Sequence, residues 1–309
     1  MDLRAAPRPV LVTGASGFLG ETLLRRLAGR GVPAVGTSFT ASVSVPRADV
    51  VPVDLRDHRA VHRLVRDLRP SAIFHAAALT DPAFCERESD SARAANLNAT
   101  VHLAAEVAAQ APATPFAYLS TDLVFDGRAA PYAPGARAKP LSTYGSLKYM
   151  AEAAALALPL GVVVRTALLF GPPMTRKQGF LGWMRGELQA GRPLTLFEDE
   201  FRTPLCTLDL ADGLVAAVER GLAGLFHAGG PERLSRVQMG EVLCEEAGLD
   251  KGLLRRARVS EYQGSPPRPA DVSLESRAFW QATGLAPRPF RAGIRQILAA
   301  QPLHKEPAP

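Results

Sequence analysis

The chain has 309 residues, 47% hydrophobic and 21% charged, with a net charge of +6. This is ordinary globular composition, long enough for one large α/β domain or two smaller ones. No stretch suits a membrane span, since the most apolar one, residues 156–170, is interrupted by Pro159, Gly161 and Arg165.

The opening residues MDLRAAPRPV lack an apolar signal core, so a cytoplasmic protein is expected. Next comes VLVTGASGFLG at residues 10–20, an apolar run turning through Gly14, Gly17 and Gly20 into an amphipathic helix over residues 18–28. Strand, glycine turn and helix N-terminus form a phosphate cradle. Gly14 permits the turn, Gly17 lets a pyrophosphate approach, and Gly20 lets helix and strand pack closely. This placement predicts a dinucleotide site.

Residues 33–39 read as the second strand. Its end normally selects the cofactor, with an acid for the NAD ribose. Here the residues are Gly36-Thr37-Ser38, with no acid, and Ser38 offers a donor to a 2′-phosphate. Arg47 is a candidate counter-charge in the next loop. NADP(H) is therefore expected over NAD(H), with NAD(H) still open.

Residues 50–55 read as a third strand ending at Asp54-Leu55, followed by a helix over 57–68 with Val61, Leu64, Val65 and Leu68 on one face. Asp54 fits either a helix cap or a contact with adenine. Residues 72–75 read as a fourth strand running into Ala76-Ala77-Ala78, small residues that leave room for a cofactor. His75 reads as structural. A long helix over 89–110 places Asn96 at its centre, either bonded to neighbouring strands or solvated.

Residues 116–119 read as the fifth strand, ending in Ser120-Thr121-Asp122 where open α/β sheets bind ligands. A Pro-, Gly- and Ala-rich excursion follows to residue 142. Tyr144-Gly145-Ser146-Leu147-Lys148 then opens a helix to residue 158, with Tyr144 and Lys148 on one face. An ammonium beside a tyrosine favours the phenolate, which predicts a lowered phenol pKa and a usable proton donor.

Residues 162–165 give a sixth strand. Beyond Gly171-Pro172-Pro173 the alternation loosens. Helices are expected over 180–190, 209–220 and 235–247, a last sheet strand over 224–227, and a loose tail after residue 301. Cys85, Cys206 and Cys244 are far apart and odd in number, which suggests reduced thiols. No ligand cluster suggests a metal. Lysines are few and arginine carries the positive charge. Its only cluster, Arg255-Arg256-Ala257-Arg258, has no interleaved aromatics, so no nucleic-acid partner is expected.

These motifs together resemble the extended short-chain dehydrogenase/reductases: TGASGFLG at 13–20, HAAA at 75–78, STD at 120–122 and YGSLK at 144–148. STDLVFDG followed by PY (120–132), VVVRTALLFGP (162–172), FRTPLCTLDLADG (201–213) and RPADVSLES (268–276) resemble the dTDP-4-dehydrorhamnose reductase branch. The resemblance implies a Rossmann-type doubly wound parallel sheet with a smaller C-terminal substrate-binding lobe. The first would span residues 1–170 with 204–227 returning to it, the second 171–203 and 228–309. It implies NADPH-dependent reduction of the 4-keto group of a nucleotide-linked 6-deoxy sugar. Tyr144 would donate the proton, Lys148 would hold the nicotinamide ribose, and Thr121, with Ser120 beside it, would bind the carbonyl. Ser16, Phe18 and Leu19 would join the glycines at the cofactor, with Ser38, Asp54, Leu55, Ala76, Ala77, Ala78 and Asn96. Asp122, Arg202 and Arg268 would meet the substrate. A homodimer is compatible with this branch. So are two other readings: a non-catalytic regulatory subunit, as in methionine adenosyltransferase, or an epimerase or dehydratase, for which an acid beside Thr121 is the relevant feature.

Overall fold

The computed structural model describes residues 1–39, 41, 43–174 and 177–300; the expected loose tail lies outside them. Strand β1 (Val10–Thr13) leads through the glycine turn into α1 (Phe18–Gly29), then β2 (Ala34–Ser38), β3 (Asp49–Pro52), α2 (His58–Leu68) and β4 (Ile73–His75). Helices α3 (Pro82–Arg87), α4 (Ser89–Arg93) and α5 (Ala99–Gln110) precede β5 (Phe116–Thr121), α6 (Thr143–Leu156) and β6 (Gly161–Thr166). Then come β7 (Leu169–Phe170), α7 (Gly179–Gln189), β8 (Leu194–Phe197), β9 (Phe201–Arg202), β10 (Leu205–Cys206) and α8 (Thr207–Glu219). The chain closes with β11 (Gly224–Ala228), β12 (Leu234–Ser235), α9 (Arg236–Ala247), β13 (Leu254–Ala257), α10 (Arg277–Thr283) and α11 (Phe290–Ala299).

Seven strands form one parallel sheet in the order β11-β6-β5-β4-β1-β2-β3. This is the expected doubly wound α/β fold. Leu23, Leu24 and Leu27 of α1 pack on one sheet face with Leu210 and Leu214 of α8 and with Phe279 and Trp280. Val61 and Val65 of α2, Leu103 and Val107 of α5 and Ala151 of α6 pack on the other. Strand order reverses between β1 and β4, so a crevice opens at their C-terminal ends. A separate core joins α7, β8, α9 and α11 through Met184, Leu196, Leu243 and Ile294. Its parallel β8–β13 pair, and helices α10 and α11, lie in stretches where the sequence showed only irregular alternation.

Two expected boundaries and one expected cap change. Strand β3 stops at Pro52, short of Asp54, and the next amide, Val53 N–H, donates to the Ser38 carbonyl at the end of β2 (2.8 Å). Asp54 caps no helix; Asp57 caps α2 by accepting from Arg59 N–H. The continuous helix over 89–110 is broken by a π-helical turn, residues 94–98, which carries Asn96. Such turns mark sites where a side chain has a special task.

Close packing at the switch point makes one consequence testable. A Cβ at Gly20 would lie 2.1 Å from the Gly14 carbonyl oxygen, and no shift short of moving α1 off the turn relieves that. Gly20→Ala is expected to cost about 1–3 kcal/mol in urea denaturation and to weaken dinucleotide binding. A native midpoint with native affinity would contradict this packing.

Candidate active site

The glycine turn reaches the crevice by close backbone contact. Gly14 has φ +71°, and a Cβ there would stand 2.6 Å from Ala77 Cα. At Gly17, the N-cap of α1, a Cβ would approach only the Gly14 oxygen, at 3.1 Å, so the space beside it is open. Asp57, Asp81, Ser142 and Ser235 cap α2, α3, α6 and α9 with side chains, whereas α1 has no side-chain cap. Its first-turn amides therefore suit an anion, and the cradle fits a pyrophosphate.

The other predicted cofactor residues divide. Ser16, Ala76, Ala77 and Ala78 are half-buried around the turn, and Ala77 N–H donates to Thr13 Oγ1 (3.3 Å). The Phe18 ring lies against Gly171 and Gly179. Leu19 and Leu55 turn their side chains into the two cores, so only their backbones can face a ligand. Ser38 spends its hydroxyl proton on the Ala41 carbonyl (2.6 Å), and Asp54 is paired with Arg56 (2.8 Å). Asn96 is fully buried and holds Leu79 at both ends, accepting its N–H (2.8 Å) and donating to its carbonyl (2.9 Å). Its task is to fix the loop after β4. His75, also buried, lies between the Thr13 and Thr100 hydroxyls (2.6 and 2.9 Å). Burial lowers its pKa to about 3, which keeps it neutral and structural.

At the end of β5 the two hydroxyls part, as successive residues of a strand must. Ser120 donates to Glu152 (2.5 Å), which also grips Arg165. It therefore supports the sheet and does not face a substrate. Thr121 accepts from Leu123 N–H (3.2 Å) and donates to Asp122 Oδ1 (3.3 Å). Tyr144 lies in the first turn of α6, whose cap Ser142 accepts from Gly145 N–H.

The expected lowering of the Tyr144 phenol does not hold. Burial raises it above its ordinary value, a hydrogen bond with Thr121 opposes this, and Asp122 adds to the rise. Lys148 acts elsewhere: its ammonium lies over the Tyr118 ring, 4.1 Å from the centroid. Burial pushes Lys148 down to about 7 against the pull of Glu152. The phenol is thus a firmly protonated donor, and the lysine titrates near neutrality.

Beyond Thr121 a cavity of about 330 Å³ opens, lined by Asp122, Leu123, Arg202, Arg236, Arg268 and Tyr262 among others. One wall is a charge cluster. The fully buried Glu200 meets Arg202 (3.0 Å), Arg236 (2.8 Å) and Arg268 (2.8 Å). Burial pushes Glu200 up, but the three guanidiniums outweigh it and hold the carboxyl at about 2. Arg202 also donates to the Pro269 carbonyl (3.2 Å) and stands 3.9 Å from Asp122. Burial raises Asp122 to about 6, and its Oδ2 has no hydrogen-bond partner among the described residues. Three cations thus face two acids, and an excess of positive charge remains even when both acids are ionised.

Glu200 and Arg236 were missed in the sequence. Glu200 stands two residues before Arg202, the spacing of one strand face. Arg236 follows the cap Ser235, whose capping box with Gln238 fixes it in the first turn of α9. Neither signal points to partners 36 and 68 residues along the chain. Among the described residues no group of His, Cys, Asp and Glu is arranged to hold a metal ion, and no helix is long and apolar enough to cross a membrane.

The RmlD substrate binding domain family matches residues 8–302. The chain belongs to this family. It is 33% identical over 302 residues to a probable dTDP-4,6-dihydroxy-2-methyloxan-3-one 4-ketoreductase of Streptomyces antibioticus, covering 94% of this chain and 96% of that one. It is 30% identical over 305 residues to the methionine adenosyltransferase 2 subunit beta of Rattus norvegicus, covering 96% and 89%. The crystal structure of dTDP-4-dehydrorhamnose reductase from Bacillus anthracis, a complex with NADP, has the same fold. Its TM-score is 0.82 at 21% identity, over 96% of this chain and all of that one (100%).

Proposed function

We propose that the protein is an NADPH-dependent reductase of the 4-keto group of a nucleotide-linked 6-deoxy sugar. The observation that carries this reading is the juxtaposition of a protonated phenol with an arginine-rich cavity. Thr121 and Tyr144 stand together at the end of β5, and Asp122 beside them lines the cavity that Arg202, Arg236 and Arg268 also line. Such an excess of positive charge suits the diphosphate of a sugar nucleotide, and guanidinium forks match it. The nicotinamide, when bound, supplies the hydride. Tyr144 holds the proton destined for the carbonyl oxygen, and Thr121 hydrogen-bonds and polarises that oxygen. Lys148 meets the nicotinamide ribose. The glycine turn takes the pyrophosphate, and the Asn96-fixed loop shapes the groove. NADP(H) is the preferred cofactor, with NAD(H) tolerated. In this reading residues 1–170 with 204–227 bind the dinucleotide, residues 171–203 and 228–309 bind the sugar nucleotide, and the protein works in the cytoplasm as a homodimer without nucleic acid.

The Streptomyces relative, named as a 4-ketoreductase, supports this reading. The methionine adenosyltransferase relative keeps a regulatory role in view; the pairing of Tyr144 with Thr121 favours turnover. The test is nicotinamide absorbance with NADPH and a dTDP-4-keto-6-deoxy sugar made in place. Substrate-dependent oxidation is expected, and none on any keto sugar would overturn the reading. Its pH profile adds a check. The Lys148 ammonium is present below about pH 7 and lost above it. Hence kcat/KM for NADPH, which reports the free enzyme, is expected to fall as pH rises through about 7. Lys148→Met should remove that limb.

A further inference from the structure

In a sheet of this order the adenosine ribose meets the C-terminal edge of β2, where an acid reads the 2′-hydroxyl of NAD and a nearby arginine reads a 2′-phosphate. The sequence offers neither at the expected place, and Ser38 has committed its proton to the Ala41 carbonyl. The structure brings another group there. Val53 N–H bonds the Ser38 carbonyl, drawing the loop after β3 against the end of β2. Phe39, the next residue, is 55% exposed, and the Arg56 guanidinium lies over its ring, 4.4 Å from the centroid. Asp54 grips one edge of the same guanidinium, accepting from Nε (2.8 Å) and from Nη2 (2.8 Å). Stacked on a ring and gripped along one edge, Arg56 loses little further freedom on meeting an anion, and Nη1 takes part in neither edge bond.

We propose that Arg56, set by Phe39 and Asp54, receives the 2′-phosphate of the cofactor and determines the preference for NADP over NAD. The proposal rests on the nicotinamide-dependent reading above. It makes Asp54 a positioning residue for the guanidinium that meets the phosphate. It also accounts for tolerance of NAD, because the Asp54–Arg56 pair neutralises itself when no 2′-phosphate is present.

The test is calorimetric titration of the full chain with NADP⁺ and NAD⁺, which needs no sugar substrate. Arg56→Ala is expected to weaken NADP⁺ by about tenfold or more and to leave NAD⁺ affinity as it was. Arg56→Lys, which keeps the charge without the planar fork, should recover part of the loss. Because Arg56→Ala also leaves Asp54 unpaired, the Asp54→Asn/Arg56→Ala double variant is the control for repulsion, and it should retain most of the NADP⁺ defect. An equal loss for both dinucleotides, no loss for either, or a selective loss in Arg47→Ala in place of Arg56→Ala would overturn the proposal. Failure of the native chain to bind either dinucleotide would instead overturn the functional reading itself, and the proposal with it.

Discussion

Tyr144→Phe is expected to lower turnover by about a thousandfold, within the range that a positioned acid contributes, while the fold is kept. The change removes one oxygen and no ring contact. Tyr144 is buried at 8% exposure, and Leu147, Cys85 and Ala92 pack beside it in a cluster the phenyl ring still fills. What disappears is the proton. The phenol is raised by burial, so in the native protein it is protonated throughout the neutral range. Reduction of a ketone needs a proton at the oxygen as hydride reaches carbon, and water is a poor replacement in a closed site. A loss confined to kcat, with KM for NADPH unmoved, identifies the transition-state role. Unchanged turnover would show that the proton comes from elsewhere, and the buried Asp122, near 6, would be the next group to examine.

Glu200→Gln carries the largest expected effect on stability, about 3–5 kcal/mol in urea denaturation at neutral pH. Glu200 is fully buried, and its carboxylate is the shared counter-ion of Arg202, Arg236 and Arg268. The amide keeps the shape and loses the charge. Three guanidiniums then face each other with Asp122 alone to offset them, and burial already lowers Arg236 to about 10. The pH dependence follows in sign. The Glu200 carboxyl is held at about 2, below its ordinary value of 4.5. Its contribution is therefore complete above pH 4.5 and is lost as pH falls toward 2. The native protein should lose stability across that window more steeply than Glu200→Gln. Equal stability of the two proteins at pH 7 would mean that the cluster is solvated in solution. A rise in KM for the sugar nucleotide should accompany the stability loss, since the same carboxylate orients the arginines of the cavity wall.

Much of the dinucleotide half was legible because local patterns decide it. The apolar run of β1, the three glycines and the helical spacing of α1 are contiguous, and so are Thr121-Asp122 and the Tyr144/Lys148 pair. Each is a short-range feature whose geometry follows from backbone sterics and helical or strand periodicity. Where a neighbour far along the chain intervenes, the reading fails. Asn96 and Ser120 looked like ligand contacts by position, but Leu79 and Glu152 occupy them. The Tyr144–Lys148 spacing suggested a lowered phenol, yet burial under other elements outweighs a charge on the same helix.

The sequence by itself determined the fold class and the glycine turn between β1 and α1, because contiguous residues and a fixed period specify them. Only the tertiary structure decided which charges meet. Glu200 joins Arg236 and Arg268 from segments far apart in the chain, and Arg56 comes to the end of β2 through a ring and a carboxylate. Electrostatic energy depends on distance and burial, which chain order does not contain.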